Sequence, residues 1–155
     1  MLGNGDGSFS VRSGVGTGLF GGPIALGNFT GAGKVDLGVK VLDNILAAVF
    51  PRNGDGTFGA PIEPATGGSS DRLVAADFDG DGKLDVACVD YNGSNSVLVA
   101  YGMGNGRFTP APGAPVGGLP TALAVGDFNG DGRPDLAVVD NSTADVSVLL
   151  GTGRR

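Results

Sequence analysis

Two stretches of the chain set oxygen donors at alternate positions. Asp77-Phe78-Asp79-Gly80-Asp81-Gly82-Lys83-Leu84-Asp85 carries carboxylates at 77, 79, 81 and 85. Asp127-Phe128-Asn129-Gly130-Asp131-Gly132-Arg133-Pro134-Asp135 carries three carboxylates and one amide at the matching positions. Side chains spaced this way converge when the backbone curls, and the glycine at the sixth position permits the sharp turn. Calcium takes six to eight oxygens from a flexible cage, whereas magnesium demands a stricter octahedron and keeps its waters. The spacing therefore predicts two Ca2+ ions per chain. Asp77, Asp79, Asp81, the Lys83 carbonyl and Asp85 would hold one, and Asp127, Asn129, Asp131, the Arg133 carbonyl and Asp135 the other. Without an ion, four carboxylates in nine residues repel one another. An EF-hand is excluded, because its twelfth position needs a bidentate Glu and here holds Cys88 or Val138.

A third copy of the stretch lacks most of these donors. In Asn28-Phe29-Thr30-Gly31-Ala32-Gly33-Lys34-Val35-Asp36 only Asp36 is acidic. One carboxylate does not hold calcium against water, so the expectation is a metal-free turn kept by its own hydrogen bonds. Gly5-Asp6-Gly7 and Gly54-Asp55-Gly56 are read as hairpin turns, since each is short and lies between two strand patterns.

Composition removes other chemistries. The chain of 155 residues has no His, which excludes imidazole acid–base catalysis and imidazole metal ligation. Its one Cys, Cys88, makes no internal disulfide or thiolate cluster and sits in an apolar run, as a small core residue would. A net charge of −6 argues against nucleic acid and anionic membranes as partners. No apolar stretch approaches the roughly 20 residues of a spanning helix. The first residues carry neither the basic nor the apolar segment of a signal peptide. Of the acids all but Glu63 are Asp, a residue of turns and caps, so a helical bundle is excluded.

The elements that must position the loops follow from an internal repeat. Phe29, Phe78 and Phe128 are spaced by 49 and 50 residues, and so are Phe9, Phe58 and Phe108 of the Gly-rich turns. Within a unit the hydrophobic pattern has period two or short apolar runs. Strands are predicted at Pro120 to Gly126, Asp135 to Val139 and Asp145 to Leu150, and likewise at Leu73 to Phe78, Asp85 to Val89, Ser96 to Tyr101 and Arg107 to Ala111. Four short antiparallel strands repeated at this period suit an all-β fold, a β-propeller segment of three blades. Residues 1–20 would end a blade and supply the fourth strand that closes a ring. The blades would then be 21–66, 67–116 and 117–155, the last lacking its fourth strand.

The units resemble the FG-GAP or VCBS repeats of integrin α-subunit propellers and bacterial secreted proteins. The residues that carry the likeness are Val125 to Leu136 and Phe58-Gly59-Ala60-Pro61. The resemblance implies calcium in the loop between the first two strands of each blade, an extracellular or cell-surface location, and a ligand on the opposite face. That face would include Asp71, Arg72, Tyr91, Asn92, Asn95 and Asn141. Protein and glycan ligands are the two alternatives. A lectin-like platform is disfavoured, because Tyr91 is the lone aromatic there.

The chain is read as non-catalytic. Paired carboxylates can hydrolyse glycosides without His, but seven of the fifteen Asp fall in the two metal loops and no pattern gathers the remaining acids. Three blades do not close alone, so a head-to-tail homodimeric six-bladed ring is expected, in which one copy's first residues complete the other's last blade, with a fragment of a longer propeller as the competing account.

Overall fold

A computed structural model describes residues 2–10, 14, 22–40, 45–66, 72–90 and 94–153, and no helix occurs among them. All strand pairings are antiparallel. Strands β1 (Leu2–Gly3) and β2 (Phe9–Ser10) form a two-stranded hairpin. The first full sheet runs β3 (Ile24–Gly27), β4 (Asp36–Val39), β5 (Ile45–Phe50) and β6 (Ile62–Thr66) in chain order. The second runs β7 (Leu73–Ala76), β8 (Asp85–Asp90), β9 (Ser96–Gly102) and β10 (Phe108–Pro110). A further short strand, β11 (Ala114–Pro115), also pairs with β9. The third sheet is β12 (Pro120–Gly126), β13 (Asp135–Asp140) and β14 (Asp145–Leu149).

These elements follow the sequence pattern closely. Strand β12 matches its predicted span, while β7 stops at Ala76 because Asp77 and Phe78 already belong to the loop. Strand β11 was not legible: Ala111-Pro112-Gly113 interrupts the ladder, and pairing resumes past it at Ala114↔Val97. In each sheet the last residue of the first strand pairs with the aspartate at the ninth loop position, as Gly27↔Asp36, Ala76↔Asp85 and Gly126↔Asp135. Each nine-residue loop is thus pinched shut at the same point.

The sheets stack through shared apolar faces. Successive side chains on a strand point to opposite faces. On β8, Val86 and Cys88 pack with Ala25, Phe29, Ala47 and Val49 of the first sheet, while Ala87 and Val89 pack with Leu136 and Val138 of the third. A strand buried on both faces must be apolar throughout, which explains the run from Val86 to Val89 and the full burial of Cys88. The two outer faces of the stack leave apolar side chains uncovered. Ile24 and Leu26 of the first sheet and Val139, Val146 and Val148 of the third are exposed.

Candidate metal centre

The ninth-position aspartate organises every loop. Asp85 is fully buried, and its two oxygens accept from different directions: Oδ2 from the Phe78 N–H at 2.7 Å, Oδ1 from the Gly102 N–H at 2.7 Å. Asp135 repeats the pattern with Phe128 N–H at 2.9 Å and Gly151 N–H at 2.7 Å. Asp36 joins the same two regions but takes its loop bonds from the third position, accepting from Thr30 N–H at 2.9 Å, Thr30 Oγ1 at 2.8 Å and Arg52 N–H at 3.0 Å. Each carboxylate ties the loop after the first strand to the end of the third strand in its sheet. The sequence assigned this position to metal ligation alone. Its clue to a second role was visible, since Asp36 persists where every other acid of the loop has gone.

The first position shapes the turn. Asp77 Oδ1 accepts from the N–H groups of Gly80 at 2.8 Å and Asp81 at 3.1 Å, and Oδ2 accepts from Gly82 at 2.8 Å. Asp127 makes the same three bonds with Gly130, Asp131 and Gly132. In the first loop, where Asp36 is the one acid, Asn28 Oδ1 still accepts from the Gly33 N–H at 3.1 Å. The sixth-position glycines have nearly the same left-handed φ, 71° at Gly33 and 83° at Gly82 and Gly132. The first loop is therefore a turn held by its own hydrogen bonds.

Carboxylate oxygens of Asp77, Asp79 and Asp85 lie within 4.8 Å of one another. Oxygens bound to calcium at about 2.3–2.6 Å can be no more than roughly 5 Å apart, so this group fits the ion. Asp79 and Asp85 are buried and Asp77 is half-buried. Burial pushes the Asp85 carboxyl above its ordinary range, the backbone N–H groups of Gly102 and Phe78 oppose that shift, and the negative Asp79 adds to it. Burial of like charges at such short range is the setting that a divalent cation relieves.

Asp81 stands outside that group. Its Oδ1 accepts from the Lys83 N–H at 2.9 Å and its Oδ2 pairs with Lys83 Nζ at 2.7 Å. In the third sheet, Asp131 is held likewise by Arg133 at 2.7 Å and by Asn129 Nδ2 at 2.9 Å. Its carboxyl lies below the ordinary range, through the Asn129 amide first and the Arg133 N–H second. Arg133 Nε also donates to the Gly151 carbonyl at 3.0 Å. Among the described residues only the second sheet gathers three acids, because Asn129 stands where Asp79 does.

The loops at the other ends of the sheets are less complete. Asp71, Tyr91 and Asn92 lie outside the described residues. Arg72, Asn95 and Asn141 are exposed. Asn95 has a positive φ of 45°, and its Oδ1 accepts from Leu119 N–H at 3.1 Å, so that oxygen is spent on joining the second and third sheets. The Asp6 and Asp55 turns are hairpin turns: Asn4 N–H reaches the Ser8 carbonyl and Asn53 N–H the Thr57 carbonyl, both at 3.0 Å.

An all-β chain built of repeated antiparallel sheets, each with an oxygen-rich loop between its first two strands, defines a β-repeat protein. The FG-GAP-like repeat family model matches residues 43–88 and 77–138, together more than half of the chain. The chain belongs to that family. No curated protein matches it.

Proposed function

We propose that the chain is a β-propeller segment of three blades, stabilised by calcium, that serves outside the cell as a non-catalytic binding or scaffold module for protein partners. The observation that carries the reading is the convergence of Asp77, Asp79 and Asp85 in a loop of the repeat family's kind. Asp77, Asp79 and Asp85, with Asp81 released from Lys83 and the Lys83 carbonyl, would hold the first ion. Asp127, Asn129, Asp131, Asp135 and the Arg133 carbonyl would hold a second, weaker one, having one carboxylate fewer. The ion supplies positive charge that offsets the clustered carboxylates, and it catalyses nothing. Supporting a propeller are the stacked sheets with apolar faces open at both ends. No helix among the described residues is long and apolar enough to cross a membrane.

Extracellular modules bind calcium at roughly 0.1–1 mM, which suits the exterior. Isothermal calorimetry should find two sites per chain, and calcium should raise the melting temperature because it binds the folded state alone. Absence of heat at millimolar calcium, together with an unchanged melting curve in chelator, would overturn the metal reading. A screen of candidate protein and glycan ligands, run with and without calcium, tests the binding role.

A further inference from the structure

The seventh loop position is basic in all three copies, as Lys34, Lys83 and Arg133. The partner of that side chain changes with the residue at the fifth position. In the second sheet the fifth residue is Asp81, and Lys83 Nζ lies 2.7 Å from its Oδ2. In the third it is Asp131, and an Arg133 NH2 group lies 2.7 Å from its Oδ2. In the first it is Ala32, and Lys34 Nζ donates instead to the Asn53 carbonyl, 3.4 Å away in the turn that follows β5.

The basic side chain lies beside that turn in every copy. A Cβ on Gly54 would meet Lys34 Nζ at 3.6 Å, one on Gly104 would meet the Lys83 stem at 2.8 Å, and one on Gly153 would meet Arg133 Cδ at 3.0 Å. Met103 stands in the second sheet where Asn53 stands in the first. Lys83 thus has an acid on one side and a turn on the other.

The pair with Asp81 is one that an ion can break. Both Asp81 oxygens are engaged, Oδ1 by the Lys83 N–H and Oδ2 by Nζ, so a cation takes Asp81 only by displacing a donor. The two side chains are 43% and 26% exposed, and water screens their attraction. Calcium carries twice the charge of the ammonium and is drawn by Asp77, Asp79 and Asp85 as well.

We infer that Lys83 is a built-in competitor of calcium. Its ammonium stands in for the ion at Asp81 when calcium is scarce, and calcium displaces it toward the Met103 carbonyl, as Lys34 is turned to Asn53. The inference rests on the metal reading of this loop and adds what regulates it: the lysine holds calcium affinity below what the carboxylates alone would give. Arg133 repeats the device more firmly, with Nε on the Gly151 carbonyl at 3.0 Å and Asn129 Nδ2 beside it on Asp131 at 2.9 Å.

The test is a double-mutant cycle at Asp81 and Lys83, read by calorimetric calcium titration of the 155-residue chain. The third-sheet loop is first silenced by Asn129→Thr and Asp131→Ala, the residues of the first loop, so that one site is titrated. Lys83→Met should tighten calcium binding roughly two- to fivefold, the worth of a partly exposed ion pair. In an Asp81→Asn background the same change should have little effect. In chelator it should leave the melting temperature unmoved or slightly lower, whereas a purely structural lysine would lower it and leave calcium affinity alone. Unchanged or weaker affinity in Lys83→Met overturns the inference. So does equal tightening in both backgrounds, which would be the long-range effect of charge alone. A parent chain that binds no calcium overturns the metal reading itself, so the two failures are told apart.

Discussion

Asp36 offers the cleanest separation of scaffold from metal site, because its loop has no other acid. Its carboxylate is buried and accepts three hydrogen bonds, two from Thr30 and one from Arg52 N–H. Asp36→Asn keeps the shape but offers one acceptor oxygen. With that oxygen facing Thr30, the new NH2 group confronts the Arg52 N–H, donor against donor. One bond to a charged group is lost, worth about 1.5–3 kcal/mol, and a partly buried N–H is left unpaired. The expected loss is about 2–3 kcal/mol, or about 3–5 kcal/mol for Asp36→Ala, which strands every partner. For a chain of this length, 2–3 kcal/mol lowers the melting temperature by roughly 4–12 °C.

Urea unfolding monitored by far-UV circular dichroism gives the midpoint and slope. The loss at Asp36 should be the same in calcium and in chelator. Asp85→Asn should behave differently, costing more in calcium than in chelator, since it removes a ligand as well as an anchor. An Asp36→Asn protein within about 0.5 kcal/mol of the parent would refute the anchoring role. A calcium-dependent loss at Asp36 would show that the first loop holds an ion after all.

Other outcomes follow from the same geometry. Asn129→Asp gives the third-sheet loop the four carboxylates of the second, and calorimetry should find its calcium affinity raised toward that of the other site. Gly102→Ala should destabilise by more than about 2 kcal/mol in urea unfolding, because the added Cβ meets the Leu84 backbone carbonyl, which cannot move without breaking the β8–β9 ladder. The Thr57 hydroxyl, then the Thr57 N–H, hold the Asp55 carboxyl below its ordinary value of 3.8. A depressed folded value means stability that is present above pH 3.8 and is lost as pH falls through the lowered value. Thr57→Val should therefore lower the melting temperature slightly at neutral pH and flatten its acid limb, the variant and the parent converging once pH has fallen through the lowered value.

The strands were legible because burial imposes a period that the residues display. The run Val86 to Val89 could lie only between two sheets, and β12 could be bounded from Pro120 and the glycine that precedes Asp127. The gathering of Asp77, Asp79 and Asp85 was legible because alternate oxygens around a sixth-position glycine have few other uses. Sequence did not disclose which oxygens meet. Asp81 counts as a ligand by spacing, yet Lys83 two residues on competes for it across 2.7 Å, a contest decided by side-chain geometry and by whether an ion is present. Nor did spacing within a loop reveal the partners of its ninth aspartate. Gly102 lies 17 residues from Asp85 and Arg52 lies 16 from Asp36, and only folding brings them together.

That long-range bond explains how one unit can lose its metal donors and keep its loop. If calcium alone held the turn, replacing the acids by Asn28, Thr30 and Ala32 would release it. Instead Asn28 and Asp36 preserve the two contacts that shape the backbone, and Gly33 keeps the left-handed conformation of Gly82. The acids at the third and fifth positions bond within the loop, Asp79 to the Asp81 N–H and Asp81 to the Lys83 N–H. Backbone geometry is in this way set by the first and ninth positions, whose Asp77 and Asp85 also belong to the carboxylate group of the second loop. The first loop, with Asn28, Thr30 and Ala32 where the second has Asp77, Asp79 and Asp81, closes its sheet by the same pairing, Gly27↔Asp36 beside Ala76↔Asp85.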